Sequence, residues 1–171
     1  EKTIDMSTEN KNSEEALKKL KEMTSNIETS MMITNLGDHP LDAVPMTQKK
    51  IDDQANIWFL SPGDSEHNKN ISKDSKTQLL YSDPSDKKFI SVYGDAEIVL
   101  KQEILEDLYS NISDNWFNGV NDPNLTAIKF TPKEAYYWDT KSSKYISFLK
   151  MGFASLTGNQ QDVGEKGKLN L

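Results

Sequence analysis

Apolar and polar positions alternate along much of this chain, and the alternation runs longest through residues 89–101. Ile90, Val92, Gly94, Ala96, Ile98 and Leu100 all fall on one face of that stretch. A period of two marks a half-buried β-strand. Gly94, in its middle, predicts a bend or bulge such as a barrel corner. Similar patterns predict strands at 28–35, 41–50, 56–60, 77–82, 125–131 and 135–138, with 144–149 as hairpin partner of the last. In the first, Met31 and Ile33 share one face and Met32 and Thr34 the other. Pro45 interrupts the second. It cannot donate to a ladder, so it belongs at an edge, a bulge or a ligand site.

Helical spacing is rarer. Leu17, Leu20 and Met23 recur on one side of Ser13–Ser25, with Asn12 or Ser13 available as cap. Residues 101–112 read as a helix with Ile104, Leu105, Leu108 and Tyr109 inward, and 152–157 as a short one. Turn-forming clusters at 36–40, 52–54 and 82–86 separate the strands. Closely spaced, turn-linked strands with a few inserted helices predict a mainly β protein, an antiparallel barrel. The expected organisation is a mobile segment over 1–12, one domain over 13–158 and a polar tail over 159–171.

Composition narrows the chemistry. A chain of 171 residues can bury a real core without crosslinks. It has no cysteine, which excludes thiol catalysis, cysteine-ligated zinc and disulfides, and agrees with an expected cytoplasmic location. No apolar run reaches the roughly 18 residues of a transmembrane helix, and no signal peptide is recognisable; Met6 is read as a natural start. The net charge is -7, so neither nucleic acid nor a membrane is an expected partner. All 20 basic residues are lysine. Without arginine, no guanidinium fork can grip a phosphate anywhere in the protein.

The most informative local feature is the strand 56–60 running into Ser61-Pro62-Gly63-Asp64-Ser65-Glu66-His67-Asn68-Lys69. A helix opening after such a turn offers free backbone N–H groups and a partial positive charge, which suits a phosphate. Ser61 and Ser65 add hydroxyl donors, and His67 and Lys69 can add charge. Strand, turn and helix start together suit a phosphorylated aromatic cofactor. The same residues also fit an ordinary N-cap and a solvated face.

Other constellations are weak. His39 and His67 lack a Gly-x-Ser-x-Gly elbow, and two histidines without cysteine make a poor metal site. The pair Asp52-Asp53 sits in a turn and reads as solubilising. There is no phosphate-binding glycine loop, and no residue stands out as catalytic. Any chemistry would be carried by a cofactor.

Several ordered segments carry a resemblance. Val44-Pro45-Met46-Thr47, Ile57-Trp58-Phe59-Leu60-Ser61, Asp64-Ser65-Glu66-His67 with Ile71, Tyr81-Ser82-Asp83-Pro84, and Ile90-Ser91-Val92-Tyr93-Gly94 come first. Trp116-Phe117, Asp122-Pro123-Asn124-Leu125 and Glu134-Ala135 before Tyr137-Trp138 follow. In this order they resemble the general stress protein branch of the pyridoxamine 5'-phosphate oxidase-like, FMN-binding split barrels, over roughly residues 27–138. The resemblance implies a six-stranded antiparallel split β-barrel and a homodimer with FMN at the subunit interface. It also implies a stress-related flavoprotein, an oxidoreductase of an unknown small molecule if it is an enzyme. Val44, Pro45, Met46 and Thr47 would line the isoalloxazine edge, and Phe59, Leu60 and Ser61 would lead to the phosphate. Ser65 and His67, with Lys69 nearby, would hold that phosphate. Trp116 and Phe117 would reach the other subunit's flavin, or serve core or dimer packing instead. Relatives commonly carry Arg where this chain has Val44 and Lys where it has His67. Both departures remove positive charge and weaken FMN binding. Two alternatives follow: a non-enzymatic dimeric scaffold that has lost FMN, or a barrel holding haem or a deazaflavin. Oxidation of pyridoxamine phosphate itself is not expected, because it needs a second basic clamp.

Overall fold

The computed structural model describes residues 13–86, 88–138 and 146–150. The expected mobile segment 1–12, the helix 152–157 and the tail 159–171 lie outside the described residues. Among the described residues the strands are β1 Thr29–Thr34, β2 Asp42–Ile51, β3 Ile57–Pro62, β4 Lys76–Asp83, β5 Lys88–Val99, β6 Leu125–Trp138 and β7 Ile146–Lys150. They pair antiparallel in the order β3-β2-β1-β4-β5-β6-β7. A further pairing of β3 with β6 runs from Ile57↔Phe130 to Pro62↔Leu125. Six strands therefore close into a barrel, as the resemblance implies, and β7 extends β6 outside the ring.

Alternation decides what fills the barrel. Met32 of β1, Ile57 and Phe59 of β3, Leu79 and Tyr81 of β4, Ile90 and Val92 of β5, and Ile128 and Phe130 of β6 form one core. Helix α1, Ser13–Ser25, lays Ala16, Leu20 and Met23 onto it. A second cluster lies on the outer side of β3 and β6. There Leu105 and Leu108 of α3, Gln102–Leu108, pack with Phe117, Leu125, Ala127, Trp58 and Leu60.

Three expected element bounds need correction. The helix read over 101–112 is α3 followed by a separate 3-10 turn, Asn111–Asn115. Ser110 starts the new turn, its side chain and that of Ser113 each accepting from the other's backbone N–H, so the α-helix stops at Leu108. Leu100 lies past the end of β5 and is 67% exposed, so the inward face stops short of it. The strands read at 125–131 and 135–138 are one strand, β6, with Pro132 inside it. Along one edge of β6 the pairing with β3 ends at Phe130 and that with β7 begins at Glu134. Along the other edge Pro132 lies opposite Gly94, next to the point where the register with β5 slips between Tyr93 and Gly94, so the proline sits beside a bulge. Gly94 does mark the bulge, and a Cβ there would press on the Thr131 carbonyl and sit 2.9 Å from Phe130 Cζ.

The barrel is split between β2 and β3. Residues 42–47 pair with β1 alone, and the register with β3 begins at Gln48↔Phe59, with a bulge before Lys50↔Trp58. Pro45 does not break β2, which is continuous. The Gln48 N–H donates to the Glu28 carbonyl at 2.8 Å, and alternation then turns the Pro45 nitrogen away from β1 toward the unpaired edge. Proline is tolerated there because no ladder needs its missing donor.

Helix α2, Glu66–Lys73, spans the split through two buried asparagines. Asn68 accepts from the Ser61 hydroxyl at 2.7 Å and donates to Thr126 Oγ1 at 2.8 Å, tying the helix to β3 and β6. Asn70 donates to Asp42 Oδ2 at 2.8 Å and Thr34 Oγ1 at 3.1 Å, tying it to β2 and β1. Ile71 adds the apolar contact with the core. At the other end of β3, Asp52 organises the turn. Its carboxylate accepts from the backbone N–H of Gln54 and Asn56, the Asn56 amide, and the Trp58 indole N–H at 3.0 Å. Asp52 is therefore a structural acceptor rather than the solubilising charge expected.

These contacts generate three predictions. Gly94→Ala should lower stability by about 1–3 kcal/mol, the usual cost of overpacking, read as a reduced urea midpoint; an unchanged midpoint would show that the β5–β6 crossing has slack. Asn68→Ala removes the amide that bonds both the Ser61 and Thr126 hydroxyls and should cost about 1–3 kcal/mol, again by denaturation. For Asp52, burial alone would push the carboxyl up, but the hydrogen bonds from Trp58, Asn56 and Gln54 outweigh it and hold it below the ordinary value of 3.8. Its stabilisation is complete above that ordinary value and is lost as the pH falls toward the lower folded value. Asp52→Asn should therefore flatten the acid limb of the stability curve below pH ~4, and an equally steep limb would remove Asp52 from the account.

Candidate functional site

The open edge of β2, the end of β3 and the start of α2 meet at the split, where the sequence places its candidate residues. Along β2 the side chains alternate. Met46 is buried in the barrel core and Val44 packs against it, whereas Pro45 and Thr47 are exposed. Phe59 is fully buried in the same core, and Leu60 faces the α3 cluster on the other side. The side chains of Met46, Phe59 and Leu60 are therefore taken up by the two apolar clusters.

Ser61 is also fully buried. Its hydroxyl proton goes to Asn68, the Thr126 hydroxyl lies 2.9 Å away, and Thr126 donates to the Ser61 carbonyl at 2.8 Å. The side chain expected to lead into a phosphate site is thus consumed in seating α2. Ser65 is the N-cap of α2, its hydroxyl accepting from the Asn68 N–H at 3.3 Å. His67 is half-buried, and its Nε2 is buried with no hydrogen-bond partner. Burial pushes the imidazole below the usual histidine range, toward the neutral form. Lys69 is exposed and ion-paired with Glu66 one turn back at 3.3 Å.

The turn before α2 is pinned from the residue that leads into the neighbouring strand, β6. The Gly63 N–H donates to the Asn124 carbonyl at 2.8 Å, and the Asp64 N–H to Asn124 Oδ1 at 3.1 Å. Asn124 returns a bond from its amide to Asp64 Oδ1 at 2.9 Å. A Cβ at 63 would be tightly placed, 3.2 Å from Thr126 Cγ2 and 3.3 Å from Asn124 Oδ1. Asp122 accepts from the backbone N–H groups of Asn118 and Asn124, which hold its carboxyl below the ordinary range. One carboxylate thereby links the α2 turn to the loop carrying Trp116 and Phe117. Those two aromatics part company: Phe117 is buried under α3, and Trp116 is 69% exposed.

Asn68, Asn70, Asn124 and Asp122 escaped the search for functional residues. The asparagines of α2 carry no periodic signal, because a buried amide reads as polar. Asp122-Pro123-Asn124 entered only through the family resemblance, and nothing in the local sequence shows that it grips Gly63 and Asp64. Among the described residues no three His, Asp or Glu side chains gather as a metal site. None of the described helices is long and apolar enough to cross a membrane.

Similar architecture recurs in solved structures. General stress protein 26 from Bacillus anthracis superposes with a TM-score of 0.66 at 21% identity, covering 78% of this chain and 97% of the other. A protein related to general stress protein 26 from Clostridium acetobutylicum, of the pyridoxinephosphate oxidase family, gives 0.68 at 20% identity, covering 81% and 96%. The general stress FMN/FAD binding protein of Xanthomonas citri gives 0.64 at 21% identity, covering 77% and 94%. At these identities the likeness establishes the fold. No curated protein matches the sequence. The family model described as pyridoxamine 5'-phosphate oxidase like matches residues 15–162, and the chain belongs to that family.

Proposed function

We propose that this protein is a flavin-binding member of its family, with FMN or a close relative held at the split between β2 and β3. The observation that carries the reading is the unpaired edge of β2, whose first residue, Asp42, is tied to α2 through Asn70. Backbone groups of Ala43 and Pro45 turn outward there, available to the heteroatoms along one side of an isoalloxazine ring. The general stress FMN/FAD binding protein with this architecture supports the same choice.

One feature tests the fit from the chain's own side. The orphaned His67 Nε2 lies in the first turn of α2, where it can hydrogen-bond the flavin's side chain. Ser65 and the first N–H groups of α2 offer further donors. When bound, a flavin supplies hydride or single-electron chemistry; the protein's part is to orient the ring and exclude water around it.

The protein would act as a homodimer with the ring at the subunit interface. Pro45, Met31 and Leu80 lie in register across β2, β1 and β4 on the outer face, where Met31 is 39% and Leu80 40% exposed. An outward apolar row beside the candidate site is what a second subunit would cover. Trp116, exposed on the loop tethered by Asp122, would reach across it. Reduction of a small molecule is the activity this site would support. The competing reading is a dimeric scaffold without flavin, and the replacement of two expected cations by Val44 and His67 favours it.

Purified protein mixed with FMN should show a saturable shift in the visible flavin bands and quenching of flavin emission, and should sediment as a dimer. Absence of any saturable change at tens of micromolar, about the range expected for weak cofactor binding, would leave the scaffold reading standing.

A further inference from the structure

We propose that the tail end of this site is built for an uncharged chain, so that riboflavin binds as well as FMN. The inference rests on the flavin reading above and concerns the groups between Ser61 and Ile71.

A phosphate dianion taken out of water needs cationic or charge-assisted donors to replace its hydration. This chain has no arginine anywhere. Ser61, the hydroxyl at the end of β3, is spent inside the barrel on Asn68. His67 supplies a neutral ring nitrogen, because burial disfavours its charged form. Lys69 is turned to solvent and engaged by Glu66. Lys69, on the exposed side of α2, is the one lysine of this segment.

The helix start does not make up the difference. Glu66 occupies the first turn of α2, and Asp64 sits just before the N-cap, held by Asn124. These carboxylates already complement the positive end of the helix, and a third anion would sit against both. Ser65, the His67 imidazole and the remaining helix N–H groups suit neutral partners such as hydroxyls. A ribityl chain ending in a hydroxyl meets that set without a charge to bury. The ring end, held by the β2 edge, is indifferent to phosphorylation.

Titrating purified protein with riboflavin and with FMN at pH 7.5, followed by quenching of flavin emission, decides the matter. Dissociation constants within about threefold of each other are expected, where an FMN-specific site would favour FMN by about a hundredfold or more. His67→Lys should tilt the ratio toward FMN by about tenfold. Glu66→Gln, at an exposed position that does not risk the fold, should tilt it the same way by less. FMN binding more than about tenfold tighter than riboflavin in the unaltered protein would overturn the inference and leave the flavin reading intact. Failure of both flavins to bind would overturn both.

Discussion

The seating of α2 on the diverging strands is the constraint from which the candidate site follows. A barrel that splits between β2 and β3 leaves an opening, and water would enter it unless another element covered it. Here a short, mostly polar helix does so, and it is held chiefly by hydrogen bonds. Asn68 reaches β3 and β6, and Asn70 reaches β1 and β2, so one turn of helix touches both sides of the split. Buried amides tolerate little displacement, because each lost bond leaves a desolvated partner. The orientation of the α2 start, and with it Ser65, His67 and the Gly63 turn, is therefore set by contacts inside the barrel.

The strands themselves were legible because half-burial imprints a period of two. Residues 89–99 announced β5, and Gly94 announced its bulge. Where legibility failed, a local signal was overruled by tertiary structure. Pro132 reads as a break, yet it falls between the β3 and β7 ladders on one edge and beside the bulge opposite Gly94 on the other, so β6 runs through. The helix over 101–112 had the right apolar spacing, but Ser110 and Ser113 close a new turn instead.

The site was legible in part. Its place at the end of β3 came from the strand-to-helix junction, whereas the duties of individual side chains did not. Ser61 and Ser65 look alike in sequence, yet one is fully buried and consumed and the other caps a helix. The alternation that faces Ser61 into the barrel could have indicated its fate, since Ile57, Phe59 and Ser61 share one face of β3. The pairing of Asn124 with Gly63 and Asp64 had no such signal, because it joins segments some sixty residues apart.

An unpaired strand is a template on which foreign chains can grow, and the outer margin of β2 is such a strand. Pro45 removes one donor from that margin, so a newcomer laid alongside would find an acceptor with no matching N–H. Whatever occupies the margin must then bond backbone groups selectively rather than zip along them. A compact heterocycle can meet that requirement and an extended peptide meets it poorly, so the residue that looked like an interruption acts as a guard against fibrous self-association.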